Sequence, residues 1–185
     1  MLELLPVIEN GGAADWAPTS DAGRWIALSG DTSDQDIARV VASIAAYSRK
    51  IGIRETLAET TTAIADTPAF VVGGGLMFRL GDFEAAPGCC CGLEGWREWE
   101  AVGRNGQSPW LGHDPMAWID CTGERAVFWD DEDGRSVDVG YDEIAAALVI
   151  AGANLTAFVA RLRAWSAQHG CDPRLADHFK RIFYV

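Results

Sequence analysis

The sequence predicts an α+β fold, an antiparallel β-meander at about 117–139 packed with N-terminal and C-terminal helices. Three observations lead there. Apolar residues recur every three or four positions in 34–66 and again in 142–168. Between these blocks, short apolar runs alternate with turn residues from Ala117 to Tyr141. Helices and strands therefore occur in separate blocks, whereas a doubly wound parallel sheet interleaves them. A chain of 185 residues has the size of one globular domain, 1–185, that can bury a core without a metal or a disulfide.

Residues 1–30 are loosely patterned. Leu4, Leu5, Val7 and Ile8 suit a short edge strand or a segment docked on the core. Ile37, Val40, Val41 and Ile44 predict a helix over about 34–50, with Thr32 or Ser33 as its cap and Asp34 and Asp36 at the positive end of its dipole. Ile53, Leu57, Thr61 and Ile64 predict a second helix that ends before Pro68. Ala69–Val72 and Leu76–Leu80, split by Gly73-Gly74-Gly75, predict a hairpin or one strand with a bulge. Leu93, Trp96, Trp99 and Val102 step by three, the period of a 3₁₀ helix.

The meander consists of Ala117–Cys121, Arg125–Trp129 and Ser136–Val139. Asp142 is the expected cap of a helix over 142–151, and Gly152 separates it from a helix over 154–168. Asp172-Pro173 opens a last helix to about Lys180, and Ile182–Val185 suits a sheet edge. The expected core contains Ile37, Val41, Ile44, Phe128, Ile144, Leu148, Phe158 and Leu162.

Fifteen Lys and Arg against 27 Asp and Glu give a net charge of −12. That excludes nucleic acid and anionic membrane as natural partners and favours a basic protein partner, which an acidic field steers into contact. The start MLELLPVIENGG lacks the basic and apolar regions of a secretory signal, and the run Ile144–Ala153 is half the length of a membrane span. A cytoplasmic location follows as the expectation. The Ala-, Arg-, Asp- and Trp-rich composition suggests a high-GC bacterium as the expected source. Five cysteines, three of them adjacent, do not form a disulfide framework, and reduced thiols are expected.

Gly73-Gly74-Gly75 matches neither a P-loop nor a dinucleotide fingerprint and reads as a turn or bulge. Gly88-Cys89-Cys90-Cys91-Gly92 has three readings. Its cysteines are small hydrophobes in a tight turn beside Trp96 or Trp99, which is the favoured reading. Alternatively, one is a nucleophile activated at a helix N-terminus, with His113 as base and Asp114 beside it. In the third, Cys89 and Cys91 bind zinc with Cys121 or His113, against which adjacent cysteines point poorly at one ion. No metal and no cofactor are expected. Trp96, Trp99, Trp110 and Trp118 concentrate aromatic surface and read mainly as core, while His169 and His178 read as surface or dipole residues. Asp130-Asp131-Glu132-Asp133-Gly134 lacks the closing glutamate of a calcium loop, since position 140 is Gly140.

The strand pair, the Trp129-Asp130 turn and the helix opened by Tyr141-Asp142-Glu143 resemble the C-terminal half of SMI1/KNR4-type (SUKH) domains. The resemblance covers about 45 residues. It implies an α+β fold and a role as an immunity protein that neutralises a toxin. The leading functional expectation is therefore an acidic protein-binding module that docks a basic partner through Trp129, Asp130, Asp131, Glu132 and Asp133. Strand alternation puts Trp129 on the outer face if Phe128 points to the core. The alternative is a small thiol- or metal-dependent enzyme that uses Cys89, Cys90, Cys91, His113 and Asp114.

Overall fold

The computed structural model describes residues 1–18, 23–102, 106–114, 116–130 and 134–185. Two antiparallel sheets and a helical layer share one apolar core. The larger sheet has four strands, β1 (Leu2–Glu9), β2 (Trp25–Ala27), β3 (Gly74–Leu80) and β4 (Phe83–Ala85), in the order β2-β1-β3-β4. The smaller sheet is the expected meander, β5 (Trp118–Asp120), β6 (Ala126–Trp129) and β7 (Ser136–Val139). The helices are α1 (Asp34–Tyr47), α2 (Leu57–Asp66), α3 (Tyr141–Gln168) and α4 (Leu175–Phe183), with a 3₁₀ segment at Leu93–Ala101.

The α+β class holds, but the centre of the fold lies elsewhere than expected. The loosely patterned N-terminus supplies an inner strand. β1 pairs with β3 over Leu2–Ile8 and with β2 over Val7–Glu9. Its alternation is blurred because Leu2, Leu4, Val7 and Ile8 are all buried, as an inner strand covered on both faces requires. Pro6 fits because its carbonyl accepts from Leu28 N at 2.8 Å just where β2 ends, so its missing N–H faces the strand's limit. Ala69–Val72 is not a strand. The hairpin is β3–β4, with Phe78 opposite Ala85.

Each helix follows from its local chemistry. Ser33 caps α1 by accepting from Asp36 N at 3.1 Å. The helix ends three residues before the expected Lys50, where Ser48 turns extended. α2 starts at Leu57 rather than Ile53, because Thr56 and Glu59 form a reciprocal capping box. The two expected C-terminal helices are one continuous helix. Gly152 does not break α3, because a Cβ there would sit 3.0 Å from the Trp96 ring, so the glycine makes room for the indole. The cap is Gly140, whose N–H donates to Glu143 Oε2 at 2.9 Å, and Asp142 lies in the first turn. No charge occurs between Glu143 and Arg161, so α3 is long and apolar enough by composition to cross a membrane, which the ten-residue run did not reveal. Here one face, with Ile144, Ala151, Leu155, Phe158 and Leu162, is buried against β1 and α4. Ile182 and Phe183 end α4 rather than join a sheet, and Tyr184 caps it in the left-handed region.

All eight expected core residues are buried. The two sheets meet through Phe78 of β3, which stacks on Phe128 of β6 at 4.2 Å, and Trp99 stacks on Phe128 from the 3₁₀ segment. His178, expected at the surface, is 1% exposed on α4 against Phe70. Arg181 Nη2 donates to its Nδ1 at 2.9 Å, which fits a neutral ring. Burial, then the Arg181 and Arg174 charges, hold its pKa below the ordinary value. The unfolded chain therefore takes up a proton below about pH 6.5 that the native state refuses. Stability from this group is present above that pH and is lost as pH falls toward the depressed native pKa. The slope contributed is at most about 1.4 kcal/mol per pH unit. Urea unfolding between pH 7 and 5 should show it, and His178→Asn should flatten that part of the profile.

Candidate functional site

Two features stand outside the core: a thiol–imidazole turn and a tryptophan pair on the meander.

The turn is held by the start of β3. Gly73 pairs with Gly92, Leu93 N donates to Val72 O at 2.9 Å, and Gly74 N donates to Cys91 O at 3.2 Å. The triple glycine is thus neither a phosphate loop nor a simple turn. It is a seam where three backbones and side chains approach. A Cβ on Gly73 would meet the Tyr47 ring at 3.1 Å, and one on Gly75 would meet Pro87 at 3.0 Å and Cys91 Sγ at 3.2 Å.

The loop carrying His113 closes on the same turn. Cys89 N donates to His113 O at 2.6 Å, His113 N donates to Cys89 O at 3.1 Å, and Gly88 N donates to Leu111 O at 2.8 Å. This approach demands glycine at 112. Its φ is +87°, and a Cβ would lie 2.6 Å from Cys89 O and Gly88 C. Trp110 packs edge-on against the imidazole, with ring centroids 5.0 Å apart. The result places Cys89 Sγ 3.5 Å from His113 Nδ1.

Among the described residues, three non-glycines have positive φ, and two of them flank this centre: Cys90 at +63° and Asp114 at +47°. The third, Tyr184, is a helix cap. Left-handed backbone at Cys90 breaks the alternation that would send neighbouring side chains to opposite sides. Cys89 Sγ, Cys90 Sγ and a His113 ring nitrogen consequently lie within 4.8 Å of one another. Adjacent cysteines, expected to point poorly at one ion, here bring their sulfur atoms close together for this backbone reason. The expected ligand pair is corrected as well. Cys91 is buried, its Sγ donates to Trp110 O at 3.5 Å, and neither it nor Cys121 joins the cluster.

All five cysteines are free thiols. Burial pushes the Cys91 thiol up to about 11, with Glu98 and Glu94 adding to the shift. Cys89 is also raised, first by desolvation and then by its contact with Cys90, while the His113 backbone acts in the opposite sense. The depressed pKa expected of a nucleophile at the 3₁₀ N-terminus is found at neither. Asp114 is exposed beside His113, and its charge adds to the rise at Cys89.

The four central tryptophans divide. Trp96 and Trp99 are core, and Trp96 Nε1 donates to Phe183 O at 2.8 Å. They also floor an open groove of about 670 Å³ beside Tyr141, Leu148 and Val149 of α3. Trp110 and Trp118 are exposed.

On the meander, Ile119 and Phe128 face the core, so Trp118 and Trp129 share the outer face. Register puts them directly opposite, and their rings stack at 5.6 Å with 9° between planes. Trp129 faces outward as expected but is only half-buried rather than exposed, because Trp118 covers it. Trp118 itself is 43% exposed. The sequence reading placed Trp118, like Trp110, mainly in the core, although alternation against Ile119 was the available signal that it faces outward. Asp120 and Asp138 lie on the same face, each opposite Val127.

Asp130 does not belong to the expected acidic surface. It is 7% exposed, its carboxylate accepts from Arg135 Nη2 at 2.7 Å, and its N–H donates to Arg135 O at 2.8 Å. This ladder closes the β6–β7 turn, and Arg135 also lies over the Phe83 ring. Asp131, Glu132 and Asp133 lie outside the described residues. No family model, curated protein or solved structure matches the chain.

Proposed function

We propose that the protein is an acidic protein-binding module, of the immunity or inhibitor kind, that docks a basic protein such as a toxin on the outer face of its meander. The stacked Trp118–Trp129 pair carries this reading. Partly exposed tryptophans are the residues that anchor interfaces, and two held parallel by strand pairing lose little entropy on binding. Asp120 and Asp138 on the same face, and Asp131, Glu132 and Asp133 next in the chain, supply charge complementary to a basic partner. The net charge of −12 adds long-range steering, and the resemblance to SUKH domains supports an immunity role.

The test captures basic proteins from the native lysate at low salt and, where a toxin is encoded beside the gene, reads co-expression rescue from that toxin. Neutralising Asp131, Glu132 and Asp133 together should slow association several-fold at low salt and less at high salt. Trp118→Ala and Trp129→Ala should mainly raise dissociation, by roughly tenfold or more if the pair is an anchor. Absence of binding at low salt, or parental kinetics in all these variants, would overturn the reading. The 3.5 Å approach of Cys89 to His113 favours a second reading, a small thiol- or metal-dependent protein, and the two surfaces are separable by mutation.

A further inference from the structure

We infer that Cys89, Cys90 and His113 form a three-donor site for a thiophilic d¹⁰ cation, zinc(II) in the first instance, with a fourth coordination position left to water or an exogenous ligand. This inference is independent of the docking face, from which it uses no residue.

Donor type comes first. Two thiolates and an imidazole are the set that selects zinc(II) or copper(I) over magnesium or calcium, which take oxygen ligands. Geometry comes second. Zinc–sulfur bonds of about 2.3 Å and a zinc–nitrogen bond of about 2.0–2.1 Å at a tetrahedral angle separate sulfur and nitrogen by about 3.6 Å. Cys89 Sγ and His113 Nδ1 stand 3.5 Å apart, so one tetrahedral edge is already in place. The 4.8 Å limit on the other donor separations exceeds the roughly 3.8 Å expected for two sulfurs on one zinc by an amount a small side-chain rotation removes.

The third argument is construction. Three backbone hydrogen bonds lock the cysteine turn to the His113 loop. Gly112 is the residue that allows the two backbones to meet. Left-handed Cys90 and Asp114 each carry a conformational cost, and such costs persist where a site requires them. A surface turn with no ligand has no need of two vicinal thiols on one side. Trp110 against the imidazole holds the ring that offers Nδ1 to the cluster.

Charge favours zinc(II) over copper(I). On binding, each thiol gives its proton to the buffer, and two thiolates with a neutral imidazole leave a zinc(II) complex of zero net charge. Copper(I) leaves a net negative complex beside Asp114. Three protein donors with one open position match the arrangement of zinc sites that bind a further ligand rather than closed structural sites.

The experiment uses the full chain, reduced and stripped with a chelator. Zinc(II) is titrated against a chromophoric competitor, cobalt(II) serves as a spectroscopic probe, and copper(I) under anaerobic conditions is a separate arm. We expect one equivalent of zinc, and a cobalt complex with thiolate-to-metal charge-transfer absorption and the intense visible bands of tetrahedral geometry. Cys89→Ser, Cys90→Ser and His113→Gln should each weaken zinc binding by at least about tenfold, and either serine variant should roughly halve the charge-transfer intensity. Cys121→Ser and Cys171→Ser should bind as the parent does. Cys90 is exposed, so Cys90→Ser tests the site even if His113→Gln fails to fold. Tighter binding of copper(I) than the thiolate count explains would reassign the ion and overturn the zinc preference. No stoichiometric metal, or binding unchanged in both Cys89→Ser and Cys90→Ser, would overturn the site itself.

Discussion

Gly74→Ala is expected to cost about 3 kcal/mol or more, a large share of the stability of a domain this size. Gly74 opens β3 with φ of +148°, a region that L side chains avoid. A Cβ there would lie 2.1 Å from Val7 O and 2.9 Å from Ile8 Cα. Both are backbone atoms of β1, so no rotamer change relieves the clash, and the β1–β3 ladder must open at Ile8 and Val7. That ladder is the inner seam of the larger sheet, and its far end also ties down the cysteine turn through Gly74 N and Cys91 O. Thermal unfolding should shift down by roughly 6–12 °C, taking about 2–4 °C per kcal/mol for a chain of this length. Gly11→Ala is the control, since nothing lies within 4 Å of its Cβ position, and it should stay within about 0.5 kcal/mol of the parent. A Gly74→Ala protein that melts with the parent would mean that β1 and β3 are not paired in this register.

Leu162→Ala should destabilise by about 2–5 kcal/mol, the range for deleting a fully buried leucine that its neighbours cannot replace. Leu162 is 0% exposed on the face of α3 that carries Leu155, Phe158, Val159 and Trp165. That face is clamped between β1 and α4, two elements fixed by their own contacts, so the cavity cannot collapse easily. Val149→Ala on the opposite side, where the residue is 74% exposed, should change stability by less than about 0.5 kcal/mol. Urea denaturation of the pair reads the helix face directly. Similar values for the two would mean that the buried stripe has been placed on the wrong side.

The candidate sites were legible in part. The acidic turn, Trp129 and the cysteine cluster all stand out by residue type. Residue type could not show that Asp130 turns inward to Arg135, because that depends on the β6–β7 closure. It could not show that Trp118 stacks on Trp129, because that depends on strand register. The Cys89–Cys90–His113 cluster needed two loops 24 positions apart to meet. Only a positive φ at Cys90 puts both thiols on one side, and cysteine does not signal that conformation.

By itself the sequence determined what depends on neighbours along the chain. Periodicity placed α1, the apolar stripe of α3 and the three strands of the meander, and short-range turn chemistry separated them. These signals are local because a helix repeats every 3.6 residues and a strand every two. Tertiary structure decided what depends on partners far along the chain. It made β1 an inner strand, through pairing with β3 some 70 residues away. It carried α3 through Gly152, because Trp96 fills the space a side chain would take. It buried His178 of α4 against Phe70 and turned the triple glycine into a seam between β1, Tyr47 and the cysteine turn. In each case burial against a distant element outweighed local propensity, which amounts to under about 1 kcal/mol per residue.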